Sequence, residues 1–380
     1  MANNPTYSEI NARRQTELLR ETLSELPAAC YEFIRAIEPT TTALTRLAYA
    51  RDLRLFFKFL GDEMKSFGGF TPDDWTYEQL SRLKPVDIDA FLDYLTLYYK
   101  EINISTASPE PDASQEVREI EITNAELGKQ RKLSALRSFF KFLFKRGRVP
   151  SDVSALVEMP KRHEKPILRL EIDEVARVLD LAETGAALGS EHQKKYHERT
   201  GLRDLAMLTL FLGTGIRVSE CVGLDISDLD FEINGFLVTR KGGNQAILYF
   251  PDEVAEVLKR YLAERVKQTP LPGHENALFL SLQNRRITTR AVENMVKKYA
   301  LQAAPLKKRM SPHKLRSTFG TNLYRETGDI YLVADVLGHS DVNTTRKHYA
   351  AMSDERRRLA AKSVVLREEK KPEEAPEEEE

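Results

Sequence analysis

The chain has 380 residues, 41% hydrophobic and 30% charged, with a formal net charge of −1. That is the make-up of a water-soluble globular protein, long enough for two domains. No apolar run reaches the ~20 residues of a membrane span, and the opening "MANNPTYSEINARR" lacks the apolar stretch of a signal peptide.

The charge is unevenly spread. Glu368 to Glu380, "EEKKPEEAPEEEE", carries −6, so the other 367 residues carry +5. The composition of this tail is that of a solvated, disordered end. Cys30 and Cys221 lie far apart in apolar surroundings, which predicts buried, reduced thiols in a cytoplasmic protein.

In chain order, the first clear element is a helix within Thr40 to Leu60. Leu53, Phe56, Phe57 and Leu60 share one face, and Arg51, Arg54 and Lys58 lie on another. A second helix follows in Glu126 to Arg148, with Leu133, Leu136, Phe140 and Leu143 as its core stripe. That window holds eight basic residues and one acidic residue, Lys132, Arg137 and Lys141 among the basic ones. Gly147 and Pro150 end it. Two basic helices in one small domain point to a phosphate backbone. Between them, residues 101–116 are polar with two prolines and read as an exposed loop.

Residues 159–171, "MPKRHEKPILRLE", read as a linker. Beyond it, residues 203–215 are apolar all round, a buried helix stopped by glycine. Residues 235–251 form two β-rich runs around "KGGN", a hairpin. Ser311 and Pro312 open a helix, and Ile330, Val333 and Leu337 stripe another that Gly338 stops.

Several polar residues fall where packing does not ask for them. Arg217 and Glu220 lie off the stripe Val218, Cys221, Val222, three apart, so that Glu220 can orient the guanidinium. Lys241 sits at the hairpin tip, and His313 and Arg316 share a helix face at i, i+3. His339 follows Gly338, and Tyr349 comes ten residues later in "GHSDVNTTRKHYA".

Two arginine forks can grip the non-bridging oxygens of one phosphodiester and stabilise a pentacoordinate transition state. A tyrosine hydroxyl can attack phosphorus when cations or a base activate it. Histidine can serve as that base, and lysine can protonate the leaving oxygen. A phosphotyrosine ester stores the bond energy, so the set calls for no metal, ATP or other cofactor. Taken singly, each residue also fits an ordinary salt bridge, turn, cap or packing role. The ordered set carries the case.

The stretches "TGIRVSECVGL", "VTRKGGN", "SPHKLRSTFGTNLY" and "LGHSDVNTTRKHYA" closely resemble the boxes of the tyrosine recombinase (phage integrase-like) family. The likeness is to its Xer branch, and most to the XerS type. It is strong from about residue 165 to 367 and looser before that.

The resemblance implies a mainly α fold with a small antiparallel β patch. A helical, SAM-like core-binding domain (residues 1–158) would join through the linker to a mixed α/β catalytic domain (172–367), followed by the acidic tail (368–380). It implies Arg217, Lys241, His313, Arg316 and His339 as catalytic residues, Tyr349 as nucleophile and Lys241 as general acid. Four protomers would exchange strands between two inverted-repeat DNA sites through a Holliday junction.

Three features depart from the family pattern: Asn244 and Gln245 after the hairpin lysine, the ten-residue step from His339 to Tyr349, and the tail. In residues 353–366, Leu359, Ala360, Val364 and Val365 form a short apolar stripe. The resemblance implies that it docks into the next protomer. The alternatives are a type IB topoisomerase-like enzyme, which shares the chemistry without paired sites, and a DNA-binding relative that has lost catalysis.

Overall fold

A computed structural model describes residues 7–104, 116–161, 168–186, 190–240, 243–339 and 341–343, with backbone alone for 101–104 and 116–117. The chain divides into two compact units, residues 1–165 and 166–380.

The first unit opens with α1 (Tyr7–Ser24) and α2 (Ala28–Ala36), followed by α3 (Ala43–Glu63). Thr42 starts α3 by accepting the Thr45 N–H at 3.3 Å, a satisfied N-cap. The stripe expected of this helix is its core face: Leu53, Phe56 and Leu60 are fully buried and Phe57 nearly so. α4 (Tyr77–Ser81) and α5 (Pro85–Tyr94) come next, the latter with proline at its first position. α6 (Glu126–Lys145) closes the unit, and Gly147 takes φ +65° just beyond it.

Aromatic rings fill the interior. Phe56 meets Phe91 edge-on at 5.1 Å and Phe57 meets Trp75 at 5.2 Å between ring centroids. Fully burying each such side chain contributes ~1.5–3 kcal/mol, so this cluster is what holds α3, α5 and α6 together.

Between α5 and α6 the chain departs from expectation. Part of the segment read as a loop is an antiparallel ribbon, β1 (Tyr98–Ile104) with β2 (Glu116–Ile122), in register from Tyr98 opposite Ile122 to Ile104 opposite Glu116. The signal was a short two-residue alternation of isoleucine with glutamate, "EIEI" at 119–122. The prolines that prompted the loop reading, Pro109 and Pro111, lie outside the described residues.

The second unit holds α7 (Ile172–Thr184), α8 (Glu191–Thr214) and α9 (Val218–Gly223). A three-stranded antiparallel sheet follows, in the order β3 (Leu229–Asp230), β4 (Gly235–Thr239), β5 (Gln245–Tyr249). Then come α10 (Asp252–Arg265), α11 (Thr289–Ala303), α12 (Pro312–Thr327) and α13 (Ile330–Leu337).

The buried helix expected at 203–215 is the C-terminal half of α8, which packs against α7, α10 and α12. Leu205, Ala206, Met207, Leu208, Leu210 and Phe211 on it are all buried. Its two buried charges are satisfied: Arg203 donates to Asp204 at 2.6 Å and to Leu280 O at 2.9 Å. Tyr299 donates to the other Asp204 oxygen at 3.2 Å. Leu170, at the end of the segment read as a linker, is already part of this unit. It is buried, and its N–H donates to Thr318 Oγ1 at 3.0 Å.

Both cysteines are free and fully buried, and burial pushes both thiols up, out of the range of a reactive thiolate. Among the described residues no helix is long and apolar enough to cross a membrane.

Candidate active site

The site is organised around the C-terminal end of α13. A helix leaves its last four carbonyls without intrahelical donors, and that end carries partial negative charge. Gly338, at φ +58°, turns the chain there. The His339 N–H bonds back to Ala334 O at 2.9 Å and the Gly338 N–H to Asp335 O at 2.8 Å. Arginines supply the other donors.

Arg217 reaches this end from the start of α9. Gly215, in the left-handed conformation at φ +63°, stops α8 and reverses the chain. A Cβ on Gly215 would fall 2.4 Å from the Phe319 ring, so the turn needs glycine for both conformation and space. Arg217 then sits at the N-cap of α9, where its N–H donates to Glu220 at 3.0 Å. The same buried carboxylate takes Arg217 Nη1 at 2.8 Å. Arg217 Nη2 donates to Leu337 O at 3.2 Å and Gly338 O at 2.9 Å. Glu220 thus orients Arg217, as the three-residue spacing suggested.

Arg316 arrives from α12 and is 5% exposed. Its Nη1 donates to Gly215 O and its Nη2 to Leu337 O. The two arginines predicted from separate motifs therefore share one acceptor, the Leu337 carbonyl. Their planes are fixed before any ligand arrives, which spares the ordering cost of long side chains.

His313 lies one turn before Arg316 on α12 and is exposed. His339 is half-buried, immediately after the α13 cap. Arg217, Glu220, Arg316 and His339 are thus gathered around one helix end, with His313 on the helix that supplies Arg316. Lys241 and Tyr349 lie outside the described residues, as do the stripe at 353–366 and the acidic tail.

A third arginine was not singled out from the sequence. Arg240, beside Lys241, donates to Asp335 O at 3.4 Å and Val336 O at 3.1 Å. With it, every carbonyl from residue 334 to 338 has a donor. The one available signal was its place in "VTRKGGN" next to the hairpin lysine.

The first unit has its own basic surface. A groove of about 690 Å³ is lined by Arg51, Arg54 and Lys58 of α3, Lys100 of β1, and Arg131 and Lys132 of α6. The six residues expected to meet DNA sort into three kinds. Arg51, Lys58 and Lys141 are exposed, Lys58 beside Asp62 at 3.9 Å. Arg54 is half-exposed and holds Glu25 at 3.0 Å. Lys132 and Arg137 are committed inward.

Lys132 is 8% exposed and donates to Asn124 Oδ1 at 2.8 Å. Burial pulls its ammonium below the ordinary lysine range, with Asp52 opposing. Arg137 donates to Val157 O at 2.6 Å, stitching α6 to the turn that follows. Arg131, unremarked in the sequence, clamps buried Asp52 on α3 with both its Nη atoms. Burial nevertheless pushes the Asp52 carboxyl up, outweighing Arg131 and Lys132.

A mostly helical unit with a small antiparallel sheet and an arginine-centred site is the architecture of a tyrosine recombinase catalytic domain. Residues 169–356 match the phage integrase family. Over 317 residues the chain is 30% identical to the tyrosine recombinase XerD of Oceanobacillus iheyensis, covering 83% of this chain and 90% of that one. It is 35% identical over 220 residues to the tyrosine recombinase XerC of Natranaerobius thermophilus, covering 57% and 69%.

Among solved structures, the fold is shared with the XerH site-specific recombinase in its post-cleavage complex with a palindromic difH substrate. The TM-score is 0.59 and the identity 18%, covering 92% of this chain and 94% of that one. It is also shared with the Tn1549 transposon integrase in complex with a circular intermediate DNA, at TM-score 0.59 and 17% identity, covering 87% and 99%. The chain belongs to the phage integrase family of tyrosine recombinases, on its Xer branch.

Proposed function

We propose that this enzyme cleaves and rejoins two DNA duplexes at a defined inverted-repeat site, with Tyr349 as nucleophile. Arg217 and Arg316 hold the non-bridging oxygens of the scissile phosphate. His313 and His339 assist charge and proton movement around it. Lys241 protonates the departing 5′ oxygen as a 3′-phosphotyrosyl bond forms. A 5′-hydroxyl from the partner duplex then attacks that bond and passes the strand across, giving a Holliday junction after the first exchange. The ester conserves the energy of the phosphodiester, so the cycle runs without ATP or metal.

The observation that carries this reading is the convergence of Arg217 and Arg316 on the Leu337 carbonyl, at the helix end that leads into His339. Two permanently charged forks fixed side by side suit one phosphodiester better than a carboxylate or a metal ion.

The exposed basic residues of the first unit, Arg51, Lys58 and Lys141, contact the phosphate backbone and add affinity without sequence information. Four protomers act on two sites, with the segment at 353–366 docking from each protomer into the next. The setting is cytoplasmic, and the role is resolution of chromosome dimers at cell division or movement of an element.

The test is strand exchange between two linear duplexes of different length that carry the same candidate site, in the presence of a metal chelator and without ATP. Recombinant lengths and a four-way intermediate are expected. Relaxation of supercoiled DNA that lacks any site, with no recombinant products, would instead mark topoisomerase behaviour and overturn the proposal.

A further inference from the structure

Arg240 belongs to neither arginine motif, yet it is fixed at both ends. Its main chain closes the hairpin turn: the N–H donates to Asn244 O at 2.7 Å, and the carbonyl accepts the Gly243 N–H at 3.1 Å. Its side chain leaves the hairpin and reaches Asp335 O at 3.4 Å and Val336 O at 3.1 Å. A guanidinium is favoured there by the negative end of the helix, and it gives Val336 O a donor while sharing Asp335 O with the Gly338 N–H.

The fit is close. A Cβ on Gly338 would lie 2.1 Å from Arg240 Nη1, and Gly338 has φ +58°. A side chain at this helix stop would strain the left-handed turn and push the Arg240 head from its place. Arg240, the residue after β4, ties that end of the strand to the same helix end that holds Arg217, Arg316 and His339. Its next neighbour in the chain is Lys241.

We propose that Arg240 is a positioning residue for departure of the leaving group, holding the root of the Lys241 turn at a set place relative to the two arginines. This rests on the reading of Lys241 as general acid. In that step the tyrosine hydroxyl passes its proton to a histidine of the site, its oxygen forms a bond to phosphorus, and the bond from phosphorus to the 5′ oxygen breaks. The departing oxygen takes the proton of the Lys241 ammonium, and nothing is oxidised or reduced. Arg240 touches none of these atoms. It acts through where it keeps Lys241, and a misplacement of ~1 Å can cost ~10²-fold in rate.

The test compares single-turnover cleavage of two nicked duplexes, one with the ordinary phosphodiester and one with sulfur replacing the bridging 5′ oxygen. A thiolate leaves without a proton (thiol pKa about 8.5), so a general acid becomes dispensable. Arg240→Ala is expected to bind DNA as tightly as wild type and to cleave the ordinary duplex about 10–100-fold more slowly. On the sulfur duplex it is expected to recover to within about threefold of wild type, as Lys241→Ala does, because the general-acid contribution is removed. Arg240→Lys, which retains a cationic donor, should regain most of the ordinary rate.

If Lys241→Ala is rescued by sulfur and Arg240→Ala is slowed equally on both duplexes, the proposal is overturned while the role of Lys241 stands. If Lys241→Ala itself is not rescued, the general-acid reading falls and the proposal falls with it. Weaker binding with a shallower salt dependence and an unchanged cleavage rate would make Arg240 a phosphate contact, which also overturns it. Should Arg240→Ala fail to fold, Arg240→Lys and Arg240→Gln carry the same comparison.

Discussion

The two units use basic residues in opposite ways. At the end of α13, three arginines donate to backbone carbonyls, and one of them, Arg316, is almost wholly buried. On α3 and α6, Arg51, Lys58 and Lys141 stand in solvent. The first arrangement costs desolvation and returns fixed geometry, which transition-state stabilisation needs. The second keeps long side chains free to meet a phosphate backbone whose exact path varies. A basic residue is therefore informative about role only when its acceptors are known.

The largest effect that can break this contrast is at Arg316. Arg316→Ala should slow strand cleavage by at least ~10²–10³-fold in single-turnover assays. It should also lower the unfolding temperature, because Gly215 O loses its side-chain donor and each buried unsatisfied group costs ~1–3 kcal/mol. Arg217→Ala should match it in rate but fall less in stability, since Arg217 is half-exposed. Equal stability losses would mean that the helix end does not depend on the buried arginine in particular.

Next comes Gly338→Ala. Forcing a side chain into the left-handed conformation costs ~1–3 kcal/mol, and here the new Cβ would also displace Arg240. Both thermal stability and cleavage rate should fall. A loss of stability with full activity would show that cleavage tolerates movement of the α13 end that Arg217 and Arg316 grip.

In the first unit the contrast is sharpened by salt titration of DNA binding. Lys58→Ala, Arg51→Ala and Lys141→Ala should each reduce the slope of log affinity against log salt by about 1. Lys132→Met should leave the slope unchanged, because its ammonium faces Asn124 inside the fold.

This sorting was the part that sequence could not supply. Helical periodicity placed Leu53, Phe56 and Leu60 in the core correctly, since burial follows the stripe. It put Lys132 and Arg137 among the exposed charges because periodicity says nothing of a partner thirty residues or less away that pulls a basic head inward. Arg217 with Glu220, and His313 with Arg316, were legible because each pair is local and each lies in a recognisable box. Their meeting at Leu337 O spans more than 100 residues for Arg217, and no pattern in either box announces it. The β1–β2 ribbon was missed because charged residues masked its alternation.

The smallest effect is a pH dependence at Glu171, the N-cap of α7. Burial raises its carboxyl, but Arg169, Arg325 and Lys307 outweigh that and hold it below the ordinary glutamate range. A depressed carboxyl pKa adds stability above the unfolded-state pKa, and that stability is lost as pH falls through the folded-state value. Glu171→Gln should therefore lower the unfolding temperature at neutral pH by about 1–3 °C, given its partial exposure. The gap to wild type should close as pH drops below about 4.5, the ordinary glutamate value. A gap that widens in acid would contradict this assignment.

On the proposed mechanism, Tyr349 attacks a phosphodiester gripped by Arg217 and Arg316. The most direct measurement is covalent trapping on a nicked duplex carrying a candidate site, with wild type and Tyr349→Phe side by side. A denaturation-resistant protein–DNA adduct is expected from wild type in the presence of a metal chelator, and none from Tyr349→Phe despite unchanged binding. An adduct that persists in Tyr349→Phe, or specific binding by wild type with no adduct, would contradict it.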